Sequence, residues 1–178
     1  MKQILKTKRL IIREINPEDI DYLTELMSHE KAMRFFPKLY SRKECMQMIE
    51  KMMFNYKVQG HGVWLLEDKE LKKPVGRLGL VMQSVERKAE PEIGYILHPD
   101  HWHKGYATEA GVAVRNYAFD QLNYPHVISL IRPINLPSQA VAKRLGMTIS
   151  RKVHFFNYEH LVFKIDRQTA LALKIQAS

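Results

Sequence analysis

The stretch from Glu92 to Ala118 constrains this chain of 178 residues more than any other. Glu92-Ile-Gly-Tyr-Ile-Leu97 reads as a strand, His98 to Gly105 as a short loop, and Ala107, Ala110, Gly111, Val114 and Ala118 then fall on one helical face. Side chains that small let a helix pack very close to a sheet. A strand that runs through a short loop into such a helix also builds an anion site. The first N–H groups of a helix lack partners within it, the helix dipole favours negative charge there, and Gly105 and Ala107 leave room for a phosphate to approach the backbone. Lys104 adds a cation at the same point, and Pro99, lacking an N–H, is expected to free backbone groups of Ile96 and His98 for a ligand. The loop has neither the G-x-x-x-x-G-K-[ST] of a P-loop nor the G-x-G-x-x-G of a dinucleotide fold.

The rest of the chain supplies a sheet for that helix. Residues 4–15 read as one strand, followed by Asn16-Pro17-Glu18-Asp19 as a helix start and a helix to about Met27. Ser41 caps a second helix in which Cys45, Met48, Ile49, Met52 and Met53 form an apolar stripe, read as core. Strands follow at 63–67, 74–82 and 91–97, separated by charged turns, as an antiparallel meander. After the small-residue helix come a buried strand at 127–132, a helix at 138–145 ended by Gly146, and two closing strands near 147–153 and 160–166. Strands that first pair antiparallel and then alternate with helices imply an α+β class with a mixed sheet. With 46% hydrophobic and 26% charged residues, one domain over residues 1–178 is expected.

Several classes are excluded or disfavoured. No apolar run approaches the ~20 residues of a membrane-spanning helix, and the charged opening MKQILKTKRLIIREI lacks a signal-peptide core. The single Cys45 cannot close an internal disulfide, so it reads as a packed thiol in a reducing cytoplasm. Lys and Arg exceed Asp and Glu by 28 to 19, a net +9 spread over both halves, which favours anionic partners such as cofactor phosphates or nucleic acid. A basic ribosome- or RNA-binding module is the rival class, yet no Lys/Arg-rich run or RNP-like string appears. His98, Asp100, His101 and His103 do not have metal-site spacing, so no metal is expected.

The chain resembles the Gcn5-related N-acetyltransferases (GNAT), and within them the branch that acetylates ribosomal-protein N-termini. The resemblance rests on Thr7-Lys-Arg-Leu-Ile-Ile-Arg13, Glu92-Ile-Gly-Tyr95, Trp102-His-Lys-Gly-Tyr-Ala-Thr-Glu-Ala110, and Asn135-Leu-Pro-Ser138 followed by Lys143-Arg-Leu-Gly-Met147. It implies a three-layer α/β/α fold whose central mixed, mostly antiparallel sheet splays between the fourth and fifth strands. It implies acetyl-CoA as acyl donor, with the pyrophosphate on His103, Lys104, Gly105, Tyr106, Ala107 and Thr108, and the pantetheine arm on the backbone of Ile96, Leu97 and His98. Asn135 matches the asparagine that bonds the pantetheine near the thioester. A homodimer is common in the family, and docking to a ribosome is one use for the basic surface.

The chemistry such a site requires follows from the reaction. The attacking amine must be neutral, which an α-amino group near pKa 8 achieves more readily than a lysine-type amine. A base, a fixed N–H for the oxyanion and a proton donor for the departing thiolate complete the demand. Glu92 is the candidate base, against the plainer reading of a solvent-facing strand glutamate. Many members place a tyrosine seven residues after the asparagine as acid, but Ala142 stands there. Ser138, which resembles the serine of the ribosomal-type branch, is the alternative donor, although its position fits a helix N-cap equally well. Tyr95 and Tyr106 are donors by type, Tyr95 facing away from Glu92 along the strand. His103 replaces the usual loop glycine. Loss of turnover with the acyl-CoA pocket intact, giving a sensor or scaffold, stays open. The acceptor pocket is expected from residues 27–53 and from loops near the chain's end. Phe35, Phe36, Tyr40 and Tyr56 shape an apolar mouth, and Glu25, Glu30, Glu44 and Glu50 are the available acids. A protein or peptide N-terminus or a small apolar amine is the preferred acceptor.

Overall fold

A computed structural model of the chain describes residues 2–176. The expected first strand is two, β1 (Gln3–Lys6) and β2 (Leu10–Glu14), antiparallel with Leu5 opposite Ile12. The break has a local cause: the Thr7 hydroxyl accepts from Leu10 N at 3.0 Å while Thr7 N donates to Leu10 O at 2.9 Å, closing a turn within the apparent run. Asn16 caps a 3-10 turn at Pro17–Asp19 that leads into α1 (Ile20–Ser28); α2 (Glu30–Met33) follows, and Ser41 with Glu44 forms the capping box of α3 (Arg42–Gln59).

The meander is β3 (Val63–Asp68), β4 (Lys73–Val85) and β5 (Lys88–Leu97). Beyond it lie α4 (Tyr106–Asp120), β6 (His126–Ile131), α5 (Leu136–Arg144), β7 (Thr148–Phe155) and β8 (Tyr158–Asp166). The chain does not close on strands as expected, because α6 (Arg167–Gln176) follows them. The eight strands form one sheet in the order β1-β2-β3-β4-β5-β6-β8-β7. It is mixed and mostly antiparallel, the α+β arrangement expected, and the sequence's fourth and fifth strands are β5 and β6. These pair in parallel with Glu92 opposite Ile128, ahead of the last five residues of β5.

The described residues fall into two compact units. One runs to Gly79 and includes Tyr95–Ala110; the other comprises Leu80–Gly94 and the chain from Gly111 onward. In the first, Leu23, Leu26, Met27, Met33, Cys45 and Ile49 from the helices bury against Leu65 and Ile96 of the sheet. The stripe of α3 is core at Cys45, Ile49 and Met52, while Met53 stays at the edge, 36% exposed. Cys45 is a free, buried thiol, its Sγ 3.7 Å from Leu23 O, and burial raises its pKa. In the second unit, Val85, Ile128, Val153 and Val162 form the core, and the small face of α4 accommodates Leu145, which a Cβ at Gly111 would approach to 2.8 Å.

The first unit is tied by charge at its base. The Arg13 guanidinium donates to both carboxylate oxygens of Asp19, at 2.9 and 2.8 Å, and to Glu67 at 3.1 Å, while Asp19 also accepts from Asn16 N at 2.9 Å. Both Arg13 and Asp19 are buried. Removing one partner leaves an uncompensated buried charge. Asp19→Ala is therefore expected to cost about 3 kcal/mol of stability or more, read as a lower midpoint in urea unfolding at an unchanged slope.

Candidate active site

The end of β5 lies against β4 through close backbone contact. His98 N donates to Val75 O at 3.0 Å, and Gly76 accepts the close approach: a Cβ there would meet both Ile96 O and Leu97 Cδ2 at 2.5 Å. Pro99 does not free His98, contrary to expectation. It opens a short 3-10 turn (Pro99–His101) in which His101 N donates to His98 O at 2.9 Å, so both backbone groups of His98 are spent. The Leu97 carbonyl is taken too, accepting from Trp102 Nε1 at 3.0 Å. Because successive strand residues address opposite edges, the Leu97 N–H faces away from β4. It is the donor this strand end offers, and the buried Ile96 contributes its side chain to the core.

The loop into α4 makes two left-handed turns, at His103 (φ 60°) and Gly105 (φ 79°). A non-glycine residue pays for that conformation in steric strain, so His103 holds a backbone that glycine would adopt freely. His103, Lys104 and Gly105 are exposed, and Glu109 N donates to Gly105 O at 3.0 Å as the first helical bond. The N–H groups of Tyr106, Ala107 and Thr108 accordingly head the helix. Glycine suits position 105 because of its φ of 79°, and a Cβ there would make only an ordinary 3.4 Å contact with Arg9 Nη2.

Arg9 was not among the candidates from sequence. Its Nη1 donates to Lys104 O at 2.8 Å, its Nε to Glu109 at 2.7 Å, and its guanidinium lies 4.7 Å over the Tyr106 ring. Glu109 is fixed in turn by Thr7 Oγ1 at 2.6 Å and Arg9 N at 2.8 Å, and these bonds hold its carboxyl below the usual range against the opposing effect of burial. The signal was present as Thr7-x-Arg9 in one quoted motif and Glu109 in another. Their pairing across a hundred residues is tertiary. Tyr106 is buried with its hydroxyl donating to Asp68 at 2.6 Å, so that side chain is structural and only its backbone serves the loop.

Two carboxylates of β5 illustrate how surroundings assign roles. Glu90 is buried, but ion pairs with His126 and Arg151 hold its pKa below the ordinary value although burial acts to raise it. Glu92 has no such cation. Desolvation pushes it up to about 7, and one long bond from Leu130 N, 3.3 Å, opposes this only weakly. It is not the solvent-facing glutamate of the plainer reading. In the same unit Asn135 caps α5, its Oδ1 accepting from Ser138 N at 3.2 Å. The cap is thus Asn135 and not Ser138, which occupies the helix's third residue. Asn135 retains its amide NH₂ as the group to offer a ligand. Ala142 is buried and offers no hydroxyl.

The first unit also gathers histidines beside the end of β5. His98 is buried, with Nε2 at 3.5 Å from Glu25 and its ring 5.2 Å from His29 and 6.2 Å from His101. Burial, then Lys104, lowers the His101 pKa. Among the described residues no group of three His, Cys, Asp or Glu side chains is arranged to hold a metal ion. Of the residues expected at the acceptor mouth, Tyr56 is a clamp: its hydroxyl donates to Val63 O and accepts from Ile15 N at 3.1 Å. Tyr40 packs on the helical core, Phe35 lies under Arg34, and Glu44 is bound to Ser41 and Lys38. The candidates 96–98 and 103–108 therefore share one unit, and Glu92, Asn135 and Ser138 the other.

Residues 9–148 match the profile of the Acetyltransferase (GNAT) domain. The chain belongs to the GNAT acetyltransferase family. As such it is an acetyl-CoA-dependent acyltransferase. It is similar to the uncharacterized N-acetyltransferase YnaD of Bacillus subtilis, with 29% identity over 153 residues and 85% of each chain covered. An acetyltransferase structure from Agrobacterium tumefaciens superposes with a TM-score of 0.80 at 27% identity, covering 93% of this GNAT chain and 94% of that one. The fold is shared with RimL, a ribosomal L7/L12 alpha-N-protein acetyltransferase solved with coenzyme A, at a TM-score of 0.77 and 16% identity, covering 93% and 98%.

Two outcomes follow for this GNAT chain. His103→Gly relieves a left-handed side chain worth about 1 kcal/mol, partly offset by glycine's greater freedom when unfolded; denaturant unfolding is expected to show stability unchanged or higher, never lower by 1 kcal/mol. Glu92 keeps its proton to about pH 7 in the fold, against 4.5 as its ordinary value. Its contribution is complete below 4.5 and lost as pH rises to about 7, so Glu92→Gln should gain on the natural chain across that window, by about 3 kcal/mol at most, in melts run from pH 4 to 8.

Proposed function

We propose that this protein moves the acetyl group of acetyl-CoA to a primary amine by direct attack in a ternary complex. The observation that carries the reading is the exposed, left-handed turn at His103–Gly105. It sets the first amides of α4 beside Lys104 and an Arg9 that is itself fixed by Glu109. Main-chain donors, a helix N-terminus and two cations suit a diphosphate. The Leu97 N–H is the donor for the thioester end of the carrier, as backbone pairing with an extended arm requires. RimL's solved complex with coenzyme A supports the same use of this fold.

Glu92 is the base. A carboxyl near 7 is balanced between holding and accepting a proton at neutral pH. The neutral amine nitrogen attacks the thioester carbon, the C–N bond forms, the C–S bond breaks, and the nitrogen's proton ends on the thiol of CoA. Asn135 offers its NH₂ to the carrier, and Ser138, three residues along α5 from the start of its cap, is the proton donor for the thiolate. An α-amine is the favoured acceptor because it sheds its proton more readily than a lysine-type amine, and RimL's description as an alpha-N-protein acetyltransferase supports that class. Ribosome association, a homodimer, a cytoplasmic setting and a single functional domain extend the same reading.

Arg9→Ala and Lys104→Ala are each expected to weaken acetyl-CoA binding by about tenfold, as loss of one charge-assisted phosphate contact does, seen as a smaller ligand-induced rise in Tm. For turnover, kcat/KM measured by thiol release should climb with pH through about 7, and Glu92→Gln should lower it by about a hundredfold or more and flatten that limb. A rise in Tm without thiol release over a broad amine panel identifies the catalytically inactive binder instead.

A further inference from the structure

Two arginines of the first unit differ in their charge balance. Arg13 faces two carboxylates, whereas Arg77 of β4 faces none. The Arg77 Nε is buried with no partner, and Nη1 reaches only the weak acceptor Met48 Sδ at 3.3 Å. The groups that act on it electrostatically are Tyr40, Cys45 and Tyr56, two phenols and a thiol. Burial works to lower its pKa, yet a guanidinium keeps its proton in proteins. No carboxylate is among those groups; the acids in the ion-pair pattern of this unit serve other cations, Asp19 and Glu67 pairing with Arg13, Glu44 with Lys38 and Asp21 with Arg42. A buried charge without a counter-ion is costly, and charges so placed are paired or hold a ligand.

Its place in the sheet says which ligand. With His98 bonded to Val75, Arg77 falls opposite Ile96, and opposed residues share a face. That face carries the helical core, with Tyr40, Met46 and Met48 partly exposed at its rim. The cation therefore stands next to the strand end that the reading above gives to the thioester.

We infer that Arg77 receives a carboxylate of the acetyl acceptor, and that the acceptor is a small primary amine bearing a carboxylate, of the amino-acid type. This rests on the transferase reading. A forked guanidinium matches a carboxylate in two parallel bonds, and the thioether and phenol rim suits an apolar side chain. The same cation repels a polyamine.

The test measures thiol release from acetyl-CoA with matched amines: phenylalanine against phenethylamine, methionine against methioninamide, with spermidine and a neutral tripeptide amide alongside. The acids are expected to exceed their carboxylate-free partners in kcat/KM by at least tenfold. In Arg77→Met that ratio should fall towards one, and in Arg77→Lys, which keeps the charge but not the fork, to an intermediate value. Arg77→Met should also melt at or above the natural chain and keep its Tm response to CoA, since it removes an unneutralised charge. A lower Tm with an unchanged ratio makes Arg77 structural and overturns the inference. So does equal or better use of phenethylamine, spermidine or the peptide amide. No transfer to any amine while CoA still raises Tm overturns the acceptor assignment but spares the cofactor reading; no response to CoA removes both.

Discussion

The position of β5's last residues depends on the missing side chain of Gly76. With a Cβ there, Ile96 O and Leu97 Cδ2 would stand at 2.5 Å and the strand end would have to shift. Because the space exists, His98 can bond to Val75, and the alternation of the strand then fixes the Leu97 N–H on the opposite edge. The same register sets Arg77 opposite Ile96. One close backbone approach thus fixes the position of an outward strand-end donor and of a buried cation at the same place in the sheet.

Electrostatic character here follows from pairing more than from residue type. Glu90 and Glu92 are two residues apart on one strand, yet the first is met by His126 and Arg151 and the second by a single weak N–H. Their pKa values move in opposite directions. Arg13 and Arg77 form a comparable contrast among cations, one neutralised by two acids and one by none. The paired member of each couple has its charge satisfied within the protein, whereas the unpaired one keeps unused interaction capacity.

Much of the fold was legible because its signals are local. Asn16-Pro17 and Ser41 start helices where caps and a proline favour them, and the meander's strands lie where apolar runs meet charged turns. The failures have local causes as well. The Thr7 hydroxyl substitutes for a strand partner and splits the first strand, and Asn135 takes the cap that Ser138 fitted equally well from sequence. Pro99 was expected to release His98, but the turn it begins consumes those groups.

The sequence by itself determined the strand, loop and helix that contain Gly105, the small face of α4 and the identity of the loop's donors, since helix ends and backbone freedom are properties of neighbouring residues. Only the tertiary structure decided that Arg9 and Glu109 meet across a hundred positions, that Tyr106 is tied to Asp68, and that Glu92 and Arg77 are left without counter-charges. Desolvation and ion pairing depend on which distant segments pack together, and no stretch of the chain encodes that alone.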